Sequence, residues 1–160
     1  MSTLDSLDLN SFITNAVIEV FDTMLSLEAE QYNGDLDGLL NGNKIVGSVS
    51  FAGDVMGSIN FYVSNEFAQI LTGAMLGMEV DEIEDDEEVL DVIGELSNMV
   101  GGDLKSKLCD AGFPCELSIP SITSGDNFKI GIRNFLRFER FTYQCQESII
   151  MVEVSIKSAC

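Results

Sequence analysis

The sequence predicts an α+β fold, a two-layer sandwich of long helices packed on a mostly antiparallel sheet. Three segments repeat apolar residues at helical spacing, and several shorter segments alternate apolar and polar residues between glycine, asparagine or proline breaks. The order of helix, hairpin, helix, helix and strands also indicates an internal duplication. With 160 residues, of which 46% are hydrophobic, the chain is long enough for one domain, residues 1–160, with a well-buried core.

The first helix is predicted over residues 11–30, with Asn10 or Ser11 as its cap. Its apolar face is wide, which indicates either deep burial or a subunit interface. A hairpin with its turn at Gly53 and Asp54 follows, and Asn65 then caps a short helix that ends near Gly77. The predicted strands are residues 44–52, 55–63 and 115–123, with further strands inside residues 128–145 and 149–157.

Residues 87–108 are predicted to form the longest helix, and its outer face carries the candidate functional residues. Apolar side chains form one stripe, and a polar row with adjacent glycines lies opposite. This row and its neighbours are Asp91, Gly94, Glu95, Asn98, Gly101, Gly102 and Lys105. A glycine inside a helix costs roughly 1 kcal/mol relative to alanine. The glycines therefore indicate that something large approaches this face and meets Glu95 and Asn98.

Charge and composition exclude several classes of function. The chain has 27 acidic and 8 basic residues, and its net charge of −19 disfavours binding to nucleic acids and anionic membranes. It contains no histidine, which excludes Ser-His and Cys-His nucleophiles and histidine zinc sites. No apolar run is long enough for a membrane span, and the first residues do not form a signal peptide. We therefore expect a soluble cytoplasmic protein.

Two acidic segments have some features of metal sites. Residues 33–44 begin like a calcium-binding EF-hand loop, but Lys44 occupies the position that needs a bidentate carboxylate, and a strand follows. A turn is the favoured interpretation. Residues 81–88, with the sequence DEIEDDEE, precede the central helix, where negative charge suits the positive end of the helix dipole. We predict a solvated segment rather than a metal site.

Glu95 and Asn98 lie one turn apart, and together they have the chemistry of half an active site. A carboxylate can pair with a lysine, and an amide can hold a water molecule through its C=O or its NH₂ group. The pair contains no nucleophile and no set of metal ligands, so a partner would have to bring the reactive group. An ordinary solvated helix face is the alternative interpretation of these two residues.

The segment GELSN at residues 94–98 resembles the Glu-x-x-Asn motif of the CheX group in the CheC/CheX/FliY family of chemotaxis phosphatases. The hairpin VSFAGDVMGSINFYVS and the segment SIPSITSG are also similar to that family. The resemblance implies dephosphorylation of the phospho-aspartate of a CheY-type response regulator. It implies that Asn98 positions the attacking water and that Glu95 pairs with the regulator's lysine. The protein would need no cofactor of its own, because Mg²⁺ would belong to the regulator.

The resemblance also implies an interface and an assembly. Around the catalytic pair, Asp91, Gly94, Gly101, Gly102 and Lys105 are expected to line the contact with the regulator. Family members with two sites carry the motif on both duplicated helices. An alignment of the two helices on Met24 and Met99 places Val20 and Thr23 at the motif positions of the first helix, so the resemblance implies one site per chain. The CheX group is also associated with homodimers.

Two other functions remain open from the sequence. The first is a binding module that captures a response regulator or a flagellar motor component without catalysis. The second is a hydrolase that acts alone on small phosphoesters, which the absence of metal ligands disfavours.

Overall fold

The computed structural model describes residues 4–34, 42–126 and 137–158. It confirms the α+β prediction, because three helices pack on a sheet of seven strands in which every pairing is antiparallel. The candidate calcium loop at residues 33–44 falls largely outside the described residues, so its interpretation as a turn stays a prediction. No helix of the described part is both long and apolar enough to cross a membrane.

The helices lie close to their predicted positions. They are α1 at Leu9–Val20, which continues as a π-helical turn over Phe21–Leu25, α2 at Asn65–Leu76 and α3 at Asp86–Asp110, with 3-10 turns at Leu4–Ser6 and Val80–Glu82. The predicted caps of α1 and α2 are wrong. The Asp8 side chain accepts the Ser11 amide at 3.1 Å, and that of Ser64 accepts the Phe67 amide at 3.1 Å.

The strands are β1 at Ala29–Gln31, β2 at Asn43–Gly53, β3 at Val55–Ser64, β4 at Cys115–Leu117, β5 at Ser121–Asp126, β6 at Arg137–Cys145 and β7 at Ser148–Ser158. Their order in the sheet is β1-β6-β7-β3-β2-β4, and β5 also pairs with β2. The prediction that residues 29 and 30 are helical is wrong, because they lie in β1. Ser26 has φ 54°, and this left-handed conformation ends the helix and allows Ala29 to pair with Cys145. The single strand predicted over 115–123 is two strands separated by residues 118–120.

One face of the sheet carries the helices and forms the core. The predicted alternation in the last strand is confirmed, because Ile150, Val152, Val154 and Ile156 are all fully buried. Val49 and Ile59 lie on the same face and pack near Gly101 of α3. α1 packs beside α3. The central helix is therefore held by the sheet beneath it and by a second helix at its side.

The topology carries the internal duplication that the sequence indicated. In the order β1-β6-β7-β3-β2-β5, each strand of the first half has a counterpart at the mirrored place: β1 corresponds to β5, β2 to β6 and β3 to β7. The helices α1 and α3 correspond in the same way. The two halves are thus related by an approximate two-fold axis between β3 and β7.

The pattern of buried and exposed residues shows how the two long helices align with each other. Five buried positions of α1 and its π-helical continuation match buried positions of α3: Ile13 with Val89, Ala16 with Val92, Val17 with Ile93, Val20 with Leu96, and Phe21 with Ser97. The buried Gly94 is the exception, since its counterpart Ile18 is exposed. The predicted placement of Val20 opposite Glu95 is therefore wrong by one residue, since Val20 is buried and Glu95 is exposed. The counterparts of Glu95 and Asn98 are Glu19 and Asp22.

Alanine substitutions at two glycines where α3 meets the sheet should change the stability of the protein in opposite directions. A Cβ atom on Gly47 would clash with Ser97 Oγ and lie 3.0 Å from Ser97 Cβ, whereas one on Gly101 would make ordinary contacts of 3.4–3.6 Å with Val49 and Ile59. We expect Gly47→Ala to lower the free energy of unfolding by about 1–3 kcal/mol through overpacking. Gly101→Ala should raise it by up to about 1 kcal/mol. Urea denaturation measures both, and equal effects would contradict this packing.

The groove between α1 and α3 yields a pH-dependent prediction. Burial raises the pKa of the Asp103 carboxyl above its usual 3.8, Glu19 acts in the same direction, and Lys107 opposes them. The folded chain therefore binds this proton more tightly than the unfolded chain, and stability falls as pH rises through the titration of Asp103. Asp103→Asn should raise the Tm at pH 7, and the gain should disappear as the pH falls toward 3.8. An equal gain from Asp91→Asn, which removes an exposed carboxyl of the same helix, would contradict this assignment.

Candidate functional site

The start of α3 is defined by acidic residues that cap helical turns. Asp85 accepts the backbone N–H of Glu87 at 2.9 Å, and Glu79 and Glu82 form a capping box on the preceding 3-10 turn. The acids of the 81–88 segment are exposed or half-exposed, and the helix dipole favours them there. Within residues 4–34, 42–126 and 137–158, no three acidic or cysteine side chains are placed to hold a metal ion.

Ser97 lies on the face of α3 that packs against the sheet, together with the buried apolar stripe of the helix. Its side chain is buried, and its hydroxyl donates to the Ile93 carbonyl at 2.7 Å. Because Gly47 has no side chain, Ser97 can lie directly against strand β2. At about 100° per residue, Glu95 lies almost opposite Ser97 and Asn98 a quarter turn away. The contact with Gly47 therefore directs Glu95, and part of Asn98, away from the sheet.

Glu95 and Asn98 have no polar partner within residues 4–34, 42–126 and 137–158. Glu95 is exposed and Asn98 is half-buried, and neither side chain makes a hydrogen bond or ion pair with the described residues. Asp91, also exposed, extends the same face toward the start of the helix. We call these three residues, together with Gly102, the α3 strip. Its free carboxylate and free amide can bind groups that another molecule supplies.

Two of the glycines predicted to give a partner room do not lie on an open face. Gly94 is buried, and a Cβ atom there would lie 3.4 Å from Ile122 and 3.7 Å from Pro120. Gly101 is also buried, against the sheet. Both glycines therefore allow close packing within the protein, and their assignment to the partner contact is wrong. Gly102 is half-buried at the edge of the strip, 4.0 Å from Leu117 as measured from an added Cβ atom.

Lys105, the last of the predicted partner-binding residues, has an internal partner. Its ammonium lies 3.3 Å from the Glu116 carboxylate, and the two side chains are 32% and 88% exposed. An ion pair this exposed contributes about 0–1 kcal/mol, so it could be exchanged for a contact with another molecule. Lys105 stays a predicted partner residue.

A ridge beside the strip was missed as a functional candidate. Residues 117–122 connect β4 to β5 and run along α3, and within them the Ile119 side chain is 88% exposed. The sequence carried one signal, because proline at position 120 disfavours a continuous strand. Periodicity could not reveal that this break lies against Gly94.

The counterpart face on α1 differs in one chemical respect. Glu19 and Asp22 are exposed and line a groove of about 910 Å³ together with Asp103 and Lys107. Asp22 supplies a carboxylate where α3 supplies the Asn98 amide, and an ionised carboxylate cannot donate a hydrogen bond. The two halves of the duplication therefore present different groups.

Comparison with known proteins finds a family match that includes the region of the candidate site. The family model described as "Chemotaxis phosphatase CheX" matches residues 45–145, which include all of α3. A protein of Thermotoga maritima named CheY-P phosphatase CheX is 35% identical over 89 residues, which are 55% of this chain and 56% of that protein. The matched stretch thus spans little more than half of that relative.

Solved structures share the fold over nearly the whole chain. The chemotaxis protein CheX of Vibrio vulnificus has a TM-score of 0.80 at 23% identity, with 98% of this chain and 100% of that one covered. The CheX-CheY-BeF3-Mg²⁺ complex of Borrelia burgdorferi gives 0.76 at 24% identity, with 94% and 99% covered. These likenesses establish the fold, and the family model covers well over half of the sequence. The chain belongs to the chemotaxis phosphatase CheX family.

Proposed function

We propose that this protein accelerates hydrolysis of the phospho-aspartate of a CheY-type response regulator. The observation that carries the proposal is the Asn98 amide, which has no polar partner among the described residues and lies one turn from the exposed Glu95. The names of two relatives support it: the Thermotoga protein is a CheY-P phosphatase, and the Borrelia protein forms a complex with CheY.

In the proposed mechanism, Glu95 docks the helix by pairing with the regulator's active-site lysine. Asn98 then enters the regulator's active site and holds a water molecule through its amide. The water oxygen attacks phosphorus in line, the bond from phosphorus to the aspartate oxygen breaks, and free carboxylate and inorganic phosphate are released. Orientation of this kind can supply a large part of a barrier reduction without a nucleophile.

A magnesium ion held by the regulator would neutralise charge on the phosphoryl oxygens. The CheX-CheY complex of Borrelia burgdorferi, which includes BeF3 and Mg²⁺, supports this division of labour. The protein contributes the docking carboxylate and the water-positioning amide. The implied homodimer and the cytoplasmic location stay predictions.

Removal of the Asn98 amide should abolish catalysis and spare binding. We expect Asn98→Ala to lower kcat for phosphate release by about 10²-fold or more, because the water loses its orientation. KM should change little, since the amide acts mainly in the transition state. The assay is phosphate release from a phosphorylated regulator, with Asp22→Ala on α1 as the matched control. If Asn98→Ala is as fast as wild type, the mechanism is wrong.

Reversal of the charge at Glu95 should act on docking instead. Glu95→Lys places like charges opposite each other, so we expect KM for the phosphorylated regulator to rise about tenfold or more. Glu30→Lys changes the net charge equally, and its exposed side chain lies on β1, at the opposite edge of the sheet from β5. An equal increase in both variants would show only long-range steering and would remove Glu95 from the contact.

Measurements of binding and of hydrolysis separate the alternative functions. Tight binding of the regulator without accelerated phosphate release would identify a non-catalytic adaptor. Hydrolysis of p-nitrophenyl phosphate in the absence of a regulator would identify a hydrolase that acts alone.

A further inference from the structure

We propose that Ile119 is an apolar docking contact for the phosphorylated response regulator and lies beside Asn98 in the bound complex. This inference rests on the proposed function, since it concerns the same partner and the same face. It adds the 117–122 ridge to the α3 strip as a single docking surface.

The position of the ridge follows from its contacts with two glycines of α3. Leu117 lies near Gly102, whereas Pro120 and Ile122 lie near Gly94. Asn98 is four residues from each of these glycines, so it lies midway between them along the helix axis. Ile119 lies between Leu117 and Pro120 in the ridge. It is therefore placed alongside the helical turn that carries Asn98.

The ridge is held rigidly by strand β2. The Ser118 amide donates to the Ser50 carbonyl at 2.8 Å, and the Ser50 amide donates to the Ser118 hydroxyl at 2.9 Å. The Ser118 hydroxyl also donates to the Ile119 carbonyl at 3.1 Å. A contact residue on a fixed backbone loses less conformational entropy when it binds. Ile119 is thus both projecting and restrained.

Exposure alone would not mark this residue, because isolated apolar side chains are common on protein surfaces. Ile119 is distinguished by its high fractional exposure and by its position. It is 88% exposed, whereas every other large exposed hydrophobic residue of the described part is between 36% and 47% exposed. It also adjoins a strip whose two functional side chains are both polar.

We infer that the response regulator covers Ile119, because a stable interface is larger than the surface of Glu95 and Asn98 alone. Specific complexes bury about 800 Å² on each partner, far more than the side chains of Glu95 and Asn98 provide. A partner whose phospho-aspartate reaches Asn98 must therefore cover neighbouring surface, and the ridge adjoins one side of the strip. Apolar side chains at the centre of such a surface supply much of the affinity, while polar groups supply orientation.

The test is Ile119→Ala, a change on the surface that leaves the core intact. We expect KM for phosphate release to rise about tenfold, because the variant buries less apolar area, and kcat to stay within twofold of wild type. Titration with the regulator activated by BeF3⁻ should show a parallel rise in Kd. Met56→Ala is the matched control, since Met56 is 41% exposed and lies on the sheet face away from α3.

Three results would overturn the proposal. The first is a KM and Kd for Ile119→Ala within twofold of those for Met56→Ala. The second is a change in oligomeric state in sedimentation equilibrium without a change in Kd, which would assign Ile119 to contact with a second copy of the chain. The third is a fall in kcat at unchanged KM. Loss of catalysis in Asn98→Ala with unaltered binding in Ile119→Ala would reject the docking contact and retain the proposed phosphatase.

Discussion

The packing of Ser97 against Gly47 is the contact on which the candidate site depends. A helix on a sheet can rotate about its axis, and each rotation exposes a different set of side chains. Here the buried Ser97 hydroxyl is bonded to the Ile93 carbonyl and lies against a strand position that has no side chain. Together with the buried apolar stripe of α3, this close fit favours the rotation in which Glu95 faces outward. The placement of the proposed docking group therefore originates on the buried side of the helix.

The internal duplication shows how burial can align two helices that share few residue types. The alignment of the two helices on Met24 and Met99 paired Val20 with Glu95. A buried valine and an exposed glutamate cannot occupy equivalent positions on equivalent faces. The burial pattern moves the alignment by one residue, so that Glu19 corresponds to Glu95 and Asp22 to Asn98. A shift of one residue rotates a helix by about 100°, which is enough to exchange a core face for a solvent face.

The sequence predicted those features that depend on local pattern. The strong apolar stripe of α3 placed it at residues 87–108, within two residues of Asp86–Asp110 at each end. Prediction from local pattern failed where contacts with a distant segment decide the secondary structure or the burial of a residue. The helix predicted through residue 30 ends earlier, although Ala29 and Glu30 have good helix propensity, because the left-handed Ser26 turns the chain and residues 29–31 pair with β6. Gly94 and Gly101 appeared open because periodicity gives the angle of a residue around the axis and does not show which residues cover it.

The difference between Asn98 and Asp22 explains why a chain this acidic could carry one such site rather than two. A phosphoryl group in transfer bears negative charge on its oxygens, so a carboxylate brought close to it would add repulsion. An amide is neutral and both donates and accepts hydrogen bonds, so it can orient water beside a dianion at a lower electrostatic cost. Glu95 avoids the same repulsion only if it meets a cation, which is the role the proposed mechanism gives to the regulator's lysine. The proposed half-site therefore needs one acid and one amide, and the α1 face, with Glu19 and Asp22, has two acids.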